Sequence, residues 1–173
     1  MQKINTPLQK KQIGLLSAGE EISLTGVIYA ARDQAHKRLV EALKQGKKLP
    51  IDLKGAVIYY CGPAKTPPGK VIGACGPTTS SRMDEFTPAL LNAGVKATIG
   101  KGGRSAETAA AIKKHKAIYF LTYAGCGALL AGFVKEARPV AYPDLGPEAI
   151  YRLEVEKFPL IVAIDATGRN IYA

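Results

Sequence analysis

Three short stretches of the chain set a cation beside glycine or hydroxyl residues: Ala31-Arg32-Asp33, Thr78-Thr79-Ser80-Ser81-Arg82 and Lys101-Gly102-Gly103-Arg104. Each follows an apolar, strand-like run. Helix N-termini offer free backbone N–H groups and partial positive charge. In α/β sheets, ligands gather at the carboxyl ends of the strands. An arginine fixed there grips a carboxylate through two parallel hydrogen bonds, and a lysine supplies a point charge. Three such junctions together suit a substrate with more than one carboxylate. Any one of them alone is equally an ordinary surface cation beside a helix cap, so the recurrence with glycine-rich turns is what points to a site.

The elements that must position these residues alternate between strand and helix. Ile22 to Ala30 is rich in β-branched and apolar residues and predicts a strand. Asp33 opens a helical pattern over Gln34 to Gln45, which Gly46 closes at the C′ position. Ala56 to Tyr60 predicts a buried strand, Cys61 to Lys70 a loop, and Val71 to Ala74 another short strand. Thr87-Pro88 starts a helix that ends at Gly94. Lys96 to Ile99 predicts a strand, and Ser105 caps a helix through about Lys114. Ala117 to Tyr123 is a further strand, followed by an Ala/Leu-rich helix after Gly127. The first 21 residues carry a short amphipathic helix near Leu8 to Leu16. The tail alternates like strand at Tyr151, Leu153 and Val155, runs on through Leu160 to Asp165, turns at Asp165 to Gly168, and ends in a short strand at Asn170 to Tyr172. The sum is an α/β layered domain, with a mixed sheet, helices and a smaller barrel-like β portion built from the β-rich ends. Residues 1–173 are expected to act as one domain.

Composition bounds the function classes. Apolar residues make up 47% and charged residues 22% of 173, as in a globular chain able to bury a core. No apolar run is long enough to cross a bilayer, and no signal-peptide core follows Met1, so a cytoplasmic address is expected. The formal charge of +10 fits nucleic acid, an acidic protein partner or a small anionic substrate. Single-strand readers interleave aromatics with their basic stretches, whereas Trp is absent here and aromatics are 7%. Two near-matches to phosphate motifs fail. Gly62 to Lys70 has the wrong glycine spacing for a P-loop, with Val71 in place of Ser or Thr, and Ser105 replaces the last glycine of a dinucleotide fingerprint. Cys61, Cys75 and Cys126 form no Cys-x-x-Cys pair, and their odd number fits reduced thiols. All three are expected to be packing residues.

Four blocks in order carry a family resemblance: Ala31-Arg32-Asp33-Gln34-Ala35-His36-Lys37-Arg38, Tyr60-Cys61-Gly62-Pro63, Gly76-Pro77-Thr78-Thr79-Ser80-Ser81-Arg82-Met83-Asp84 and Lys101-Gly102-Gly103-Arg104-Ser105. Together they resemble the β region of the class I fumarase and tartrate dehydratase family, iron–sulfur-dependent hydro-lyases. The resemblance implies a swivelling β/β/α fold and the β subunit of an α–β complex. It implies reversible addition of water across the double bond of a dicarboxylate, fumarate to malate foremost, with dehydration of a tartrate as the alternative. It also implies a [4Fe–4S] cluster held by cysteines of the α subunit, with no metal ligand on this chain. By the same resemblance Arg32, Arg82 and Lys101 hold the substrate carboxylates, and Thr78 is the proposed base, assisted by Lys101 and Arg82. His36, Thr79, Ser80 and Arg104 are expected to support them. Gly103 stands where many relatives carry Asn. The expected assembly is a two-fold arrangement of α–β pairs, without nucleic acid or membrane. A basic module binding nucleic acid or protein is the competing reading from another class.

Overall fold

A computed structural model describes residues 1–173. Four parallel strands succeed one another in sequence and in space: β2 (Glu21–Ala30), β3 (Val57–Tyr59), β4 (Ala97–Gly100) and β5 (Ile118–Leu121). The crossovers between them carry helices α2 (Asp33–Lys44), α3 (Thr87–Asn92) and α4 (Ala106–Lys114). The long strand β7 (Ile150–Ile164) then pairs antiparallel with both β5 and β2. That double pairing closes β2-β3-β4-β5-β7 into a five-stranded ring, with β1 (Gln2–Asn5) and β6 (Val134–Ala141) added outside it. The mixed sheet with a barrel-like portion is therefore as expected, and the C-terminal strand is what closes it.

Strand periodicity sorts the core into two layers. Ile22, Leu24, Val57, Tyr59, Ala97, Ile99, Ile118, Phe120, Leu160 and Val162 share one cluster, which fills the ring. The alternate residues Ile58, Tyr60 and Tyr119 turn the other way and join Leu39, Leu90 and Ile112 of the three helices. Strands buried on both faces are apolar throughout, and their short runs flanked by helical patterns made them legible. Helix α2 ends where expected, with Gly46 in the left-handed region at φ 63°. At α4, Ser105 caps as anticipated, its hydroxyl accepting from the Thr108 N–H at 3.1 Å.

Several elements differ from the sequence-based expectation. Val71 to Ala74 is not a strand. The loop folds back on itself there: the Ala64 N–H donates to the Ala74 carbonyl at 2.9 Å. A Cβ on Gly73 would overlap the Ala64 carbonyl, so glycine is what permits that approach. The N-terminal helix is a single turn, α1 (Lys10–Ile13), preceded by β1, which pairs in parallel with β2. Strand β6 was not foreseen: Lys135, Glu136, Arg138 and Pro139 break the apolar alternation that marks a strand. It is an edge strand, and edges tolerate both charges and proline. The short helix before it, α5, spans Gly127–Ala131. The final strand reduces to one bridge between Ile164 and Asn170.

The chain ends are joined by Asp165, whose side chain is fully buried. It accepts from the Ala18, Thr167 and Arg169 backbone N–H groups, the Thr167 hydroxyl and the Arg169 Nε, at 2.6–3.2 Å. Burial works to raise its pKa, but these donors outweigh it and hold the carboxyl down to about 2. Asp165→Ala leaves those buried donors unsatisfied and is expected to cost about 2–3 kcal/mol of stability, measurable by denaturant unfolding. A loss below 0.5 kcal/mol would show that the latch is dispensable.

Candidate active site

The parallel strands point the same way, so their carboxyl ends form one rim. Arg32 follows β2, Tyr60 to Gly62 follow β3, and Lys101 follows β4. The loop from β3 to β4 returns to this rim. The Thr78 N–H donates to the Tyr60 carbonyl at 2.8 Å, and Thr79 forms a parallel bridge with Lys101. All three cation junctions read from the sequence are thereby brought to one end of the sheet.

Asp33 joins two of them. Arg82 donates to its carboxylate through Nε at 3.1 Å and Nη2 at 3.0 Å, and Arg32 Nε stands 3.8 Å from Asp33 Oδ2. One carboxylate therefore gathers two guanidinium groups. The Arg82 side chain stays 50% exposed and Arg32 28% exposed, so both still face outward. Gly62 makes room for Arg32: a Cβ there would lie 2.7 Å from Arg32 Cδ and 3.1 Å from Nη1. Arg32 Nε is buried without a hydrogen-bond partner. Lys101 enters no ion pair.

The backbone of Lys101 is held on both sides by Ser80. The Ser80 N–H donates to the Lys101 carbonyl at 3.0 Å, and the Lys101 N–H donates to Ser80 Oγ at 3.0 Å. The Tyr119 hydroxyl lies 2.9 Å from Ser80 Oγ and 2.7 Å from the Gly102 carbonyl. Gly100 must lack a side chain, because its Cβ would overlap Ser80 Oγ. Thr79 is exposed and Thr78 half-buried.

Arg104 sits beneath this rim with a fully buried side chain. Its Nε donates to Asp84 at 2.7 Å, and its terminal nitrogens donate to Thr87 at 2.8 Å and to Thr98 and Tyr60 at 3.3 Å. Its guanidinium lies 4.8 Å from the Tyr119 ring centroid and 5.3 Å from that of Tyr60. His36 is also fully buried, edge-on to Tyr60 at 5.3 Å. Burial lowers its pKa to about 4, against opposing contributions from the Arg32 carbonyl and Asp33. The neutral ring donates from Nδ1 to the Arg32 carbonyl at 2.8 Å, leaving Nε2 buried without a partner.

Sequence reasoning missed Tyr119, which lies in an apolar strand where a phenol looks like core. It also passed over Asp33 as the link between Arg32 and Arg82, although both lie in the quoted blocks. Cys61 and Cys75 are buried. The hydrogen bond to Cys75 and burial keep the Cys61 thiol well above its ordinary range. Cys126 is only half-buried. No three His, Cys, Asp or Glu side chains come together to hold a metal ion. No helix is long and apolar enough to cross a membrane.

The fold is a ring-closed α/β sheet that carries cations and hydroxyls along its carboxyl rim. The chain matches the family described as the fumarase C-terminus over residues 2–173, and it belongs to that family. It is 39% identical over 173 residues to the aerobic class I fumarate hydratase of Escherichia coli K12, covering 98% of this chain and 32% of that protein. Fumarate hydratase 2 of Leishmania major is 37% identical over 174 residues, covering 98% of this chain and 31% of that protein. The β subunit of L(+)-tartrate dehydratase from Escherichia coli K12 is 38% identical over 179 residues, covering 100% of this chain and 88% of that subunit. The chain thus spans about a third of the fumarate hydratases it matches and nearly all of a separate β subunit.

The His36 ring gives a pH test. The unfolded chain takes up a proton near pH 6.5, while the folded chain resists until about 4. The stabilisation is therefore full above pH 6.5 and is lost as pH falls through 4, by about 3 kcal/mol. The stability difference between wild type and His36→Gln should shrink by roughly that amount from pH 7 to pH 4. A pH-independent difference would contradict a neutral, buried His36.

Proposed function

We propose that this chain is the β subunit of an iron–sulfur-dependent hydro-lyase that reversibly adds water to the double bond of a dicarboxylate. Its 173 residues act as one unit in the cytoplasm, and its active site is shared with a cluster-bearing α subunit in a two-fold assembly of α–β pairs. The observation that carries this reading is the gathering of Arg32 and Arg82 around Asp33, on the same rim as the unpaired Lys101. Two carboxylates need such a set of cations. Its outward exposure suits a wall that another chain completes. Five surface clefts, of about 280–660 Å³, are lined by other residues.

The chemistry follows from charge. Loss of a proton next to a carboxylate builds negative charge on that carboxylate in the transition state. Cations already fixed there stabilise it without reorganising, at about 3 kcal/mol for each well-placed donor. Arg32, Arg82 and Lys101 hold the carboxylates. Thr78 takes the carbon-bound proton, and the positive field of Lys101 and Arg82 lowers the pKa of a hydroxyl that is otherwise a poor base. Thr79, Ser80, His36 and Arg104 support these groups. A [4Fe–4S] cluster on the α subunit supplies the Lewis acid when bound. Fumarate is the foremost substrate, and a tartrate is the alternative. Identities of 39% and 38% to the two Escherichia coli proteins do not divide them.

Arg82→Ala and Lys101→Ala are each expected to lower kcat/KM of the reconstituted complex about a hundredfold or more, with assembly intact by gel filtration. Unchanged kinetics would remove that residue from the site. The isolated chain is expected to bind no iron and to show no hydratase activity; turnover by it alone would overturn the shared site. Strongly salt-dependent RNA or DNA binding in a gel-shift titration would favour the basic-module reading instead.

A further inference from the structure

We propose that Tyr119 is a positioning residue for Lys101, acting through the Ser80 hydroxyl and the Gly102 carbonyl. The inference rests on the role given to Lys101 above. It is carried by a short chain of hydrogen bonds whose direction chemistry dictates.

Tyr119 has a single hydroxyl proton and two partners, Ser80 Oγ at 2.9 Å and the Gly102 carbonyl at 2.7 Å. A carbonyl can only accept, so the phenol proton goes to Gly102. Burial pushes the Tyr119 phenol above its ordinary range, so it keeps that proton. Ser80 must then donate its own proton to Tyr119 Oη. The remaining lone pairs of Ser80 Oγ face the Lys101 N–H, 3.0 Å away. The chain runs Lys101 N–H to Ser80 Oγ–H to Tyr119 Oη–H to the Gly102 carbonyl, and returns to the residue next to its start. Each link fixes the direction of the next, and such chains strengthen cooperatively.

The consequence falls on one residue. Ser80 binds both the N–H and the carbonyl of Lys101, and Tyr119 anchors the carbonyl after it. Gly102 has φ 79°, so the backbone turns sharply just beyond Lys101 and needs that anchor. With its backbone held, the Lys101 side chain leaves the rim from a fixed origin. Tyr119 does not reach the substrate rim itself. It comes from β5, behind Ser80, and its ring also packs under the Arg104 guanidinium at 4.8 Å. Tyr119→Phe therefore removes the hydrogen bonds and keeps the ring against Arg104.

The test compares Tyr119→Phe with wild type in the holoenzyme, the α–β complex carrying its cluster. The expected result is a fall in kcat/KM of about tenfold, the scale of a modest misplacement of a binding group, with the thermal midpoint shifted by only a few degrees. In the full chain, the Lys101 amide should exchange with deuterium about tenfold faster than in wild type. Succinate, a saturated dicarboxylate that cannot react, supplies the control. Tyr119→Phe should weaken succinate binding in the wild-type background and have no further effect in Lys101→Ala. Equal weakening in both backgrounds would show that Tyr119 acts elsewhere and would overturn the proposal. So would wild-type kinetics for Tyr119→Phe in a complex that Lys101→Ala inactivates, and that outcome leaves the hydro-lyase reading standing. An active Lys101→Ala complex would overturn the underlying reading as well. Should Tyr119→Phe not fold, Ser80→Ala carries the same expectations, because it removes the middle link.

Discussion

The fully buried guanidinium of Arg104 is the constraint around which the rim is organised. A buried charge is tolerable only when it is paired and hydrogen-bonded. Here the partners come from five places: Asp84 after the 80–83 turn, Thr87 of α3, Thr98 of β4, Tyr60 beyond β3 and the ring of Tyr119 in β5. Satisfying one cation thus fixes the distances between the segments that carry Arg82 and Lys101. Neither of those residues is held by packing at its charged end. Their positions are set from below, by a polar cluster lying between sheet and helices. Any loosening of Arg104 would reach both junctions at once, because Asp84 is two residues from Arg82 and Arg104 is three from Lys101.

This arrangement explains a division of labour within the chain. Apolar packing in the ring supplies rigidity, and the polar cluster transmits it to the rim. The rim spends its cations outward and not on one another. Asp33 is the exception, since it neutralises part of the Arg32 and Arg82 charge. That carboxylate keeps two guanidinium groups close when no substrate is present, where they would otherwise repel. Under the proposed function, an anionic substrate arriving at the rim would replace an interaction that Arg32 and Arg82 already make with Asp33. Under the same proposal, the formal charge of +10 would help draw a small anion toward the rim.

Much of this was legible in the residues. The parallel strands announced themselves as short apolar runs between capped helices, and the three cation junctions fell where strands end. What stayed hidden depended on pairing across distance. The β-rich ends pointed to a barrel-like portion, but no local pattern shows that β7 joins both β5 and β2, so which strands close the ring stayed hidden. Strand β6 hid behind its charges and Pro139, which are edge-strand features and also loop features. Tyr119 was invisible for the opposite reason: in Ile118-Tyr119-Phe120-Leu121 a tyrosine is one more apolar residue until the location of Ser80 is known. Arg104 was recognised as a supporting residue, but its burial was not, because a glycine-rich turn gives no hint that its arginine points inward.

The central claim is that Arg32, Arg82 and Lys101 form one wall of a site completed by a second chain. A crystal structure of the α–β complex with a bound dicarboxylate tests it most directly. The account predicts the substrate carboxylates within hydrogen-bonding distance of these three side chains, with the cluster on the opposite wall. Carboxylates held by the α subunit alone, with Arg32, Arg82 and Lys101 facing solvent, would contradict it.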